Sequence, residues 1–334
     1  MTRDSRPGTD WDGPPGTAIQ LHTLASMSDP LETVVRRVAA AGYDGVEFAG
    51  QFLSADPARV RSALAATGTA PVAAHVGLSR LEANPERVVD QCRTVGCRRV
   101  VVPHVGANHF LTTAAVDGLA ARLAALSDRL AADGVELAYH NSLATLSPPL
   151  DQFGLERATS VPLPLAGWRR IADGLGRVAR LDEGDIVERT ALGRIRERTP
   201  DALTFEVDVG WVAAAGYDPV AVIDLLDERL AAVHVADVSV TSRFPRAFGS
   251  VPPGIGLIDL GRVLPAARAS AADWLVYEDD DPADAERAMW DGIEFLSPAG
   301  SGRPEAAGDG PEGGGQEPQP GESVVEPQQS AGDD

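Results

Sequence analysis

The sequence predicts a single (β/α)8 TIM barrel, and three observations lead to this fold class. Eight short apolar runs, partly β-branched and flanked by Gly, Asp or Pro, are typical of buried parallel strands. Longer stretches with helical spacing separate them, so that strands and helices alternate from residue 18 to residue 296. This length is usual for such a barrel. The alternative is an open doubly wound sheet, but no G-x-G-x-x-G motif follows the first predicted strand.

The predicted elements follow one another in a regular order. The strands are predicted over residues 18–22, 45–48, 71–75, 99–103, 135–140, 203–208, 231–235 and 274–278. The helices are predicted over residues 29–41, 56–67, 84–95, 113–132, 218–229, 259–271 and 282–296. The ends of the first helix are predicted from its flanking residues. Asp29 is a typical N-cap, and Gly42 is typical of the position just after the last helical residue.

Three segments are predicted to lie outside the regular barrel of residues 17–297. Residues 1–16 and the acidic segment 298–334 are rich in Gly, Pro and polar residues, so both termini are expected to be disordered. Residues 142–202 form an oversized connection between the fifth and sixth strands. Long loops after barrel strands lie on the catalytic face, so we expect this insert to cover the barrel mouth. A docked extra helix or a contact between subunits is the alternative.

Composition and charge narrow the classes of partner and location. Asp and Glu number 49 against 29 basic residues, all of them Arg, and the formal net charge is −20. Such an acidic chain should repel nucleic-acid phosphates and anionic membranes, so we expect neither partner. No apolar run approaches the roughly 20 residues needed to span a membrane, and Cys92 and Cys97 give no disulfide framework. We therefore expect a cytoplasmic protein.

The absence of lysine gives the acidic composition a second interpretation. An acidic body that uses only Arg resembles halophilic proteins, which are adapted to high salt in the cytoplasm. A GC-rich genome would also favour Arg over Lys, so both interpretations remain open. The dependence of stability on KCl concentration distinguishes them.

Polar side chains follow the predicted strands at their carboxyl ends, which meet at one face of a barrel. The residues concerned are His22, Glu47, His75, His104, His140, Asp208, His234 and Glu278. A cluster of imidazoles and carboxylates is typical of a site for a divalent metal ion, and Mn, Co, Fe, Zn and Mg all suit it. Asp208, His234 and Glu278 are the best predicted ligands, and His140 is the fourth.

Several segments are similar to one known superfamily of barrels. They are AGYDGVEFAG at the second strand, LAYHNS at the fifth, EVDVGWVAAAGYDPV at the sixth and VHVADV at the seventh, followed by FGSVPPGIGLIDLGRVLPAA and LVYEDDDPAD. Together they resemble, over roughly residues 18–295, the sugar phosphate isomerase/epimerase superfamily. These xylose isomerase-like barrels include inosose dehydratases and apurinic endonucleases of the endonuclease-IV type.

The resemblance implies roles for individual positions. Asp208, His234 and Glu278 match metal ligands, and His140 occupies a position that is Glu in the epimerases. Trp211 and the loop at residues 254–256 resemble elements that face the substrate. The residues that we expect to contact substrate are His22, Glu47, Asn141, Trp211 and Asp237. Two positions depart from the family, because Ser142 replaces a frequent His and Ala236 replaces a frequent Lys beside Asp237.

The resemblance and the predicted ligands indicate a metal-dependent isomerase or epimerase that forms an enediolate from a sugar, keto-sugar or polyol. Glu278, His75 and His104 are the candidate residues for proton transfer. A lyase of the inosose dehydratase kind would share the first step and then expel a hydroxyl group. A barrel that binds a polyol without turnover is a further alternative, whereas the acidic body argues against an endonuclease. Assembly into a homo-oligomer is an additional expectation.

Overall fold

A computed structural model of the chain describes residues 14–153, 189–243 and 246–297. The predicted tail, most of the predicted N-terminal arm and the central part of the predicted insert lie outside these residues. The described part folds around one closed barrel.

Eight parallel strands form this barrel, and two further strands form a separate hairpin. In chain order the strands are β1 (Gly16–Gln20), β2 (Gly45–Phe48), β3 (Ala70–His75), β4 (Arg99–Val102), β5 (Glu136–His140), β6 (Thr204–Asp208), β7 (Leu230–Val235), β8 (Asp237–Arg243), β9 (Arg246–Val251) and β10 (Trp274–Tyr277). Strands β1 to β7 pair in sequence, and β10 closes the ring between β7 and β1. The prediction of a single (β/α)8 barrel is confirmed, and every predicted strand is present within two residues at each end.

Helices pack on the outside of the barrel. Those at predicted positions are α1 (Leu31–Ala41), α2 (Pro57–Thr67), α4 (Pro85–Val95), α5 (Thr113–Ala131), α8 (Pro219–Leu226), α9 (Leu260–Ala269) and α10 (Ala285–Leu296). The remaining α-helices in the described ranges are α3 (Leu78–Ala83), α6 (Ala191–Arg198) and α7 (Val209–Ala215). Short 3-10 turns cover Phe52–Ser54, Ala107–Phe110, Leu150–Phe153 and Asp227–Arg229. None of the helices in the described ranges combines the length and apolar character that a membrane crossing requires.

Side-chain caps explain where several of these helices begin. The Asp56 carboxylate accepts from the backbone N–H groups of residues 58 and 59 at the start of α2. Asp218 and Asp284 cap α8 and α10 in the same way, and the Thr112 hydroxyl caps α5. Each cap satisfies a backbone donor that the first helical turn leaves without a partner.

The barrel interior has an apolar lower layer and a polar upper layer. The lower layer consists of Ala18, Val72, Ala73, Val101, Ala138, Ala232, Trp274 and Val276. The Trp274 indole fills the bottom of this layer, and a Cβ atom at Gly16 would lie 2.5 Å from it. The buried Arg99 guanidinium lies 3.1 Å from both Glu136 and Asp273 at the same end. The seven other buried ionisable side chains of the barrel interior lie at the opposite end.

The described ends of the predicted insert pack against the barrel's helical shell. Arg194 of α6 forms two hydrogen bonds with Asp117 of α5, at 2.7 and 2.6 Å. The backbone N–H of Leu192 donates to the carbonyl of Thr145, which joins the two ends of the insert. Residues 154–188 are not among the described residues, so a cover over the mouth stays a prediction.

Candidate active site

A cavity of about 930 Å³ lies at the carboxyl ends of the barrel strands. Its wall is built from the segments that follow β1 to β6 and β10. Among the residues predicted for the site, those that line the cavity are His22, His75, His104, His140, Asn141, Trp211 and Glu278. A volume of this size is within the range of small-molecule sites in proteins.

A layer of seven ionisable side chains lies at and beneath the floor of this cavity. The residues are Glu47, His75, His140, Glu206, Asp208, His234 and Glu278, and none of their side chains is more than 10% exposed. They come from β2, β3, β5, β6 and β7 and from the residue after β10. Glu206 and Asp208 both belong to this layer because residues two apart on a strand share one face.

Four of these residues form what we call the deep group: Glu47, His75, Glu206 and His234. The Nε2 atom of His234 lies 2.7 Å from Glu47 Oε2 and 3.0 Å from Glu206 Oε1. The Nε2 atom of His75 lies 2.9 Å from Glu206 Oε1 and 3.3 Å from Glu47 Oε2. The pairing register of the barrel shifts immediately before Glu47 and before Glu206. Such irregularities change the direction of a side chain and are frequent near active sites.

The other three residues form the mouth group: His140, Asp208 and Glu278. Their ligand atoms lie within 4.8 Å of one another, and His140 Nε2 is 4.0 Å from Asp208 Oδ2. Asn141 fixes the backbone of Asp208 through two hydrogen bonds, to its N–H at 2.8 Å and to its carbonyl at 3.2 Å. The N–H of Trp211 donates to Asp208 Oδ1, so Oδ2 is the oxygen that faces His140.

Two histidines connect the deep group to the mouth group. His140 Nδ1 is 2.8 Å from Glu206 Oε1, and His234 Nδ1 is 2.6 Å from Glu278 Oε2. The second ring nitrogen of each histidine faces the group to which that histidine itself belongs. Each histidine thus contacts carboxylates on both sides.

Burial and charge shift the pKa values of this layer in opposite directions. Burial disfavours the charged form of His75, but the neighbouring Glu47 and Glu206 outweigh it and raise its pKa to about 10. Burial likewise disfavours an ionised Glu278, but His234 lowers the pKa of that carboxyl to about 2. For Asp208 burial dominates and raises the pKa to about 7. Protons therefore balance much of the carboxylate charge when no cation is bound.

The chemistry of these donors fits a divalent metal ion. Imidazole nitrogens and carboxylate oxygens are the ligands that Zn, Mn, Co and Fe prefer. Two buried oxygens, Glu47 Oε1 and Glu206 Oε2, have no hydrogen-bond partner among the described residues. An unpartnered buried carboxylate oxygen is costly, and a cation is one way to satisfy it.

Two residues predicted to contact substrate lie elsewhere. Glu47 belongs to the deep group and is not among the described residues that line the cavity. The buried Asp237 carboxylate accepts four backbone N–H bonds, from Val238 and Ile258 at Oδ1 and from residues 254 and 256 at Oδ2. Three of these four bonds come from residues 254, 256 and 258 of the loop that follows the hairpin. The Asp237 carboxylate therefore fixes this loop.

Glu206 is the residue of the layer that the sequence analysis did not identify. Site residues were predicted at the carboxyl ends of the strands, and Glu206 lies two residues before the end of β6. The E-V-D spacing was the available signal, because it places Glu206 and Asp208 on the same face of the strand.

Comparisons with known proteins give matches at the level of structure. No family model matches the chain, and no curated protein matches its sequence. A sugar phosphate isomerase/epimerase from Parabacteroides distasonis matches with a TM-score of 0.61 at 14% identity, covering 87% of this chain and 98% of that one. The IolI protein, solved with a bound zinc atom, matches with a TM-score of 0.59 at 15% identity and coverages of 84% and 98%.

A third structure with the same fold is named for a different reaction. It is the probable 3-DHS dehydratase AsbF from Bacillus anthracis, with a TM-score of 0.61 at 11% identity and coverages of 85% and 99%. At these identities the likeness concerns the fold. The chain has the fold of the xylose isomerase-like barrels of the sugar phosphate isomerases and epimerases.

Proposed function

We propose that the chain is an isomerase or epimerase that depends on a divalent metal ion and acts on a sugar, keto-sugar or polyol. The observation that carries this proposal is the mouth group of His140, Asp208 and Glu278 at the floor of a cavity of about 930 Å³. The comparisons support a sugar-processing enzyme, since a sugar phosphate isomerase/epimerase shares the fold over most of both chains.

The mouth group would hold the ion with three protein ligands, which leaves positions for substrate oxygens as catalytic metal sites do. His234, one of the three best ligands predicted from sequence, contacts Glu278 through Nδ1 and orients that carboxylate. When bound, such an ion would polarise a substrate carbonyl and the adjacent hydroxyl, which would acidify the proton on the carbon that carries that hydroxyl. Asn141 and the Trp211 N–H keep Asp208 in place for this role.

Proton transfer would fall to residues in the cavity wall. The candidate bases predicted from sequence, Glu278, His75 and His104, all line the cavity. His104 is exposed to the cavity and can accept a proton as a neutral imidazole. His75 lies between Glu47 and Glu206 and would supply the second imidazole for proton transfer.

A lyase is the second candidate, and the fold shared with a probable dehydratase favours it. Removal of a proton next to a carbonyl is common to both reactions, and a dehydratase then expels the hydroxyl on the next carbon. Ala236 stands where family members often have Lys, so that side chain is not available for the later proton transfer. The product distinguishes the two reactions.

The experiment measures metal content and proton exchange on the same samples. The protein is stripped with chelator, reloaded with Mn, Co or Zn, and incubated in D2O with keto-sugars and inososes. We expect bound metal and deuterium incorporation next to the carbonyl, followed by an isomer or a dehydrated product. Asp208→Ala should abolish both metal binding at the mouth group and deuterium incorporation. His109 lies in the cavity wall outside both groups, so His109→Ala should change the two quantities only slightly. A wild type that holds no metal under any loading would overturn the enzymatic proposal and favour a polyol-binding barrel.

A further inference from the structure

We propose that the substrate is a sugar acid, and that Arg80 and Arg122 bind its carboxylate on the side of the cavity that follows β3 and β4. The inference rests on the proposed function, because it names the class of substrate that the same cavity accepts. Neither arginine was among the site residues predicted from sequence.

The charged side chains of the cavity wall are divided between two sides. Arg80 belongs to α3, which follows β3, and Arg122 belongs to α5, which connects β4 to β5. The carboxylates that line the cavity in the described part of the chain, Glu278 and Asp280, follow β10. In the closed ring of strands, β3 and β4 lie opposite β7 and β10. The cavity therefore has a basic side, although acidic residues outnumber basic ones by 49 to 29 in the whole chain.

Arg122 is held in a fixed orientation by Glu82. The Nε and Nη2 atoms of Arg122 donate to the two oxygens of the Glu82 carboxylate, each at 2.7 Å. Such a paired contact fixes the plane of the guanidinium group. Glu82 leaves the Nη1 group for another ligand. A guanidinium that is already oriented loses little freedom when it binds a second carboxylate.

Arg80 lies on the same short helix as Glu82 but is not neutralised by it. Residues two apart on a helix do not face each other, so Glu82 contacts Arg122 and leaves Arg80 without its charge. The Arg80 side chain forms no hydrogen bond or ion pair with another residue in the described ranges. It is exposed and lines the cavity. A carboxylate of the substrate would supply the missing counter-charge.

The local charge favours a ligand group with a single negative charge. Two arginines and Glu82 together carry a net charge of +1. Burial and the charge of Arg122 lower the pKa of His109 below its usual value, so this imidazole of the wall is neutral at pH 7 and adds no charge. A carboxylate balances the net charge, whereas a phosphate ester carries about −1.5 to −2 and exceeds it. Carboxylates also match the forked geometry of guanidinium groups.

Binding at the arginines would set the direction in which the substrate lies in the cavity. Carboxylate oxygens are good ligands for divalent ions, so the acid group of a free sugar acid would compete for the open positions at the mouth group. The two arginines would hold that acid group on the basic side. The carbonyl end of the molecule would then extend toward the mouth group, where Glu278 lies on the opposite side of the barrel.

Affinities for matched ligands test the inference without turnover. D-fructose and D-fructuronate differ only at the terminal carbon, which is an alcohol in the sugar and a carboxylate in the acid. D-tagatose and D-tagaturonate form a second pair of the same kind. In calorimetric titrations of the zinc-loaded protein, we expect at least one acid to bind about tenfold more tightly than its sugar. KCl should weaken the binding of the acid and leave that of the sugar unchanged.

Variants show whether the arginines cause this preference. Arg80→Gln should raise the Kd of the acid about tenfold and change the Kd of the neutral sugar less than about twofold. Arg122→Gln should shift both values in the same direction as Arg80→Gln. Arg129→Gln is the matched control, because Arg129 lies on α5 about two turns beyond Arg122 and pairs with Glu86 at the surface. This control should leave both affinities unchanged.

Each outcome separates this inference from the proposed function. Acids that bind no more tightly than their sugars would overturn the inference alone. A preference for acids that survives in both Arg80→Gln and Arg122→Gln would also overturn it, because the carboxylate would then bind elsewhere. A phosphate ester of D-fructose at the same carbon that binds more tightly than D-fructuronate would overturn the choice of carboxylate. Zinc content is measured on the same samples, and a preference for acids without bound zinc would overturn the proposed metal dependence and keep the arginine site.

Discussion

The Asp237→Asn substitution separates a structural role for this residue from the substrate contact expected from sequence. Asn has nearly the same shape as Asp, and its single carbonyl oxygen can keep the two bonds at the Oδ1 position. The amide NH2 then replaces Oδ2 and faces the backbone N–H groups of residues 254 and 256, which donate at 3.0 and 2.9 Å. Two charge-assisted hydrogen bonds are lost, and donors face donors.

The expected magnitude follows from these two bonds. A hydrogen bond to a charged group contributes about 1.5–3 kcal/mol to stability. Gly254 is exposed and Gly256 is half-buried, so water can partly replace the lost acceptor, and the lower end of this range applies. We therefore expect Asp237→Asn to lower the free energy of unfolding by about 3 kcal/mol.

Urea unfolding followed by circular dichroism measures this loss. Asp259→Asn is the matched control, because Asp259 is an exposed N-cap of α9 and Asn caps helices equally well. Zinc stoichiometry should be unchanged in both variants. A loss below about 1 kcal/mol, or a loss of sugar binding at unchanged stability, would refute the structural role.

Three further outcomes are expected. Arg99→Met should lower the free energy of unfolding, measured with urea, by about 3–5 kcal/mol, because it leaves Glu136 and Asp273 buried without a counter-charge. The control is Arg287→Ala, which removes an exposed ion pair and should lower the free energy of unfolding by less than about 1 kcal/mol. In the chelator-stripped protein, protonated His75 stabilises the fold through its contacts with Glu47 and Glu206. This contribution to stability is fully present below pH 6.5 and is lost as the pH rises through the raised pKa of about 10. Stability should therefore fall between neutral pH and pH 10, and His75→Gln should flatten that profile. Finally, the unfolding temperature should rise with KCl concentration, since salt screens the repulsion within a chain of net charge −20; a maximum without salt would contradict the halophilic interpretation.

Local patterns in the sequence were sufficient to predict the barrel. Each parallel strand is buried on both faces and therefore reads as a short apolar run, and Asp or Gly residues mark many helix ends. The hairpin β8–β9 was not predicted, because β8 follows β7 after the single residue Ala236 and its sequence, DVSVTSR, is not a continuous apolar run. Helices α3 and α7 have only six and seven residues, which is too short for a clear helical period.

The site was predictable to the extent that it depends on strand ends. Seven residues chosen for that reason, or from the family resemblance, line the cavity. The positions of the other site residues depend on contacts between segments that are distant in sequence. Asp237 follows β7 as an active-site residue would, but the backbone of residues 254–258 occupies its carboxylate. Glu206 reaches the deep group beside a register shift in the barrel, which depends on the pairing of β6 with β7.

The Trp274 ring at the base of the barrel has a consequence for exchange kinetics. Its indole contacts the position of Gly16 and also approaches Gly45, where a Cβ atom would lie 3.0 Å away. Because the Trp274 ring and the apolar layer above it fill the lower end of the barrel, small solutes reach the buried carboxylates from the cavity side. Ion uptake, ion loss and substrate entry would then share one passage. A sugar seated in the cavity should accordingly slow the extraction of bound metal by a chelator, in proportion to its occupancy.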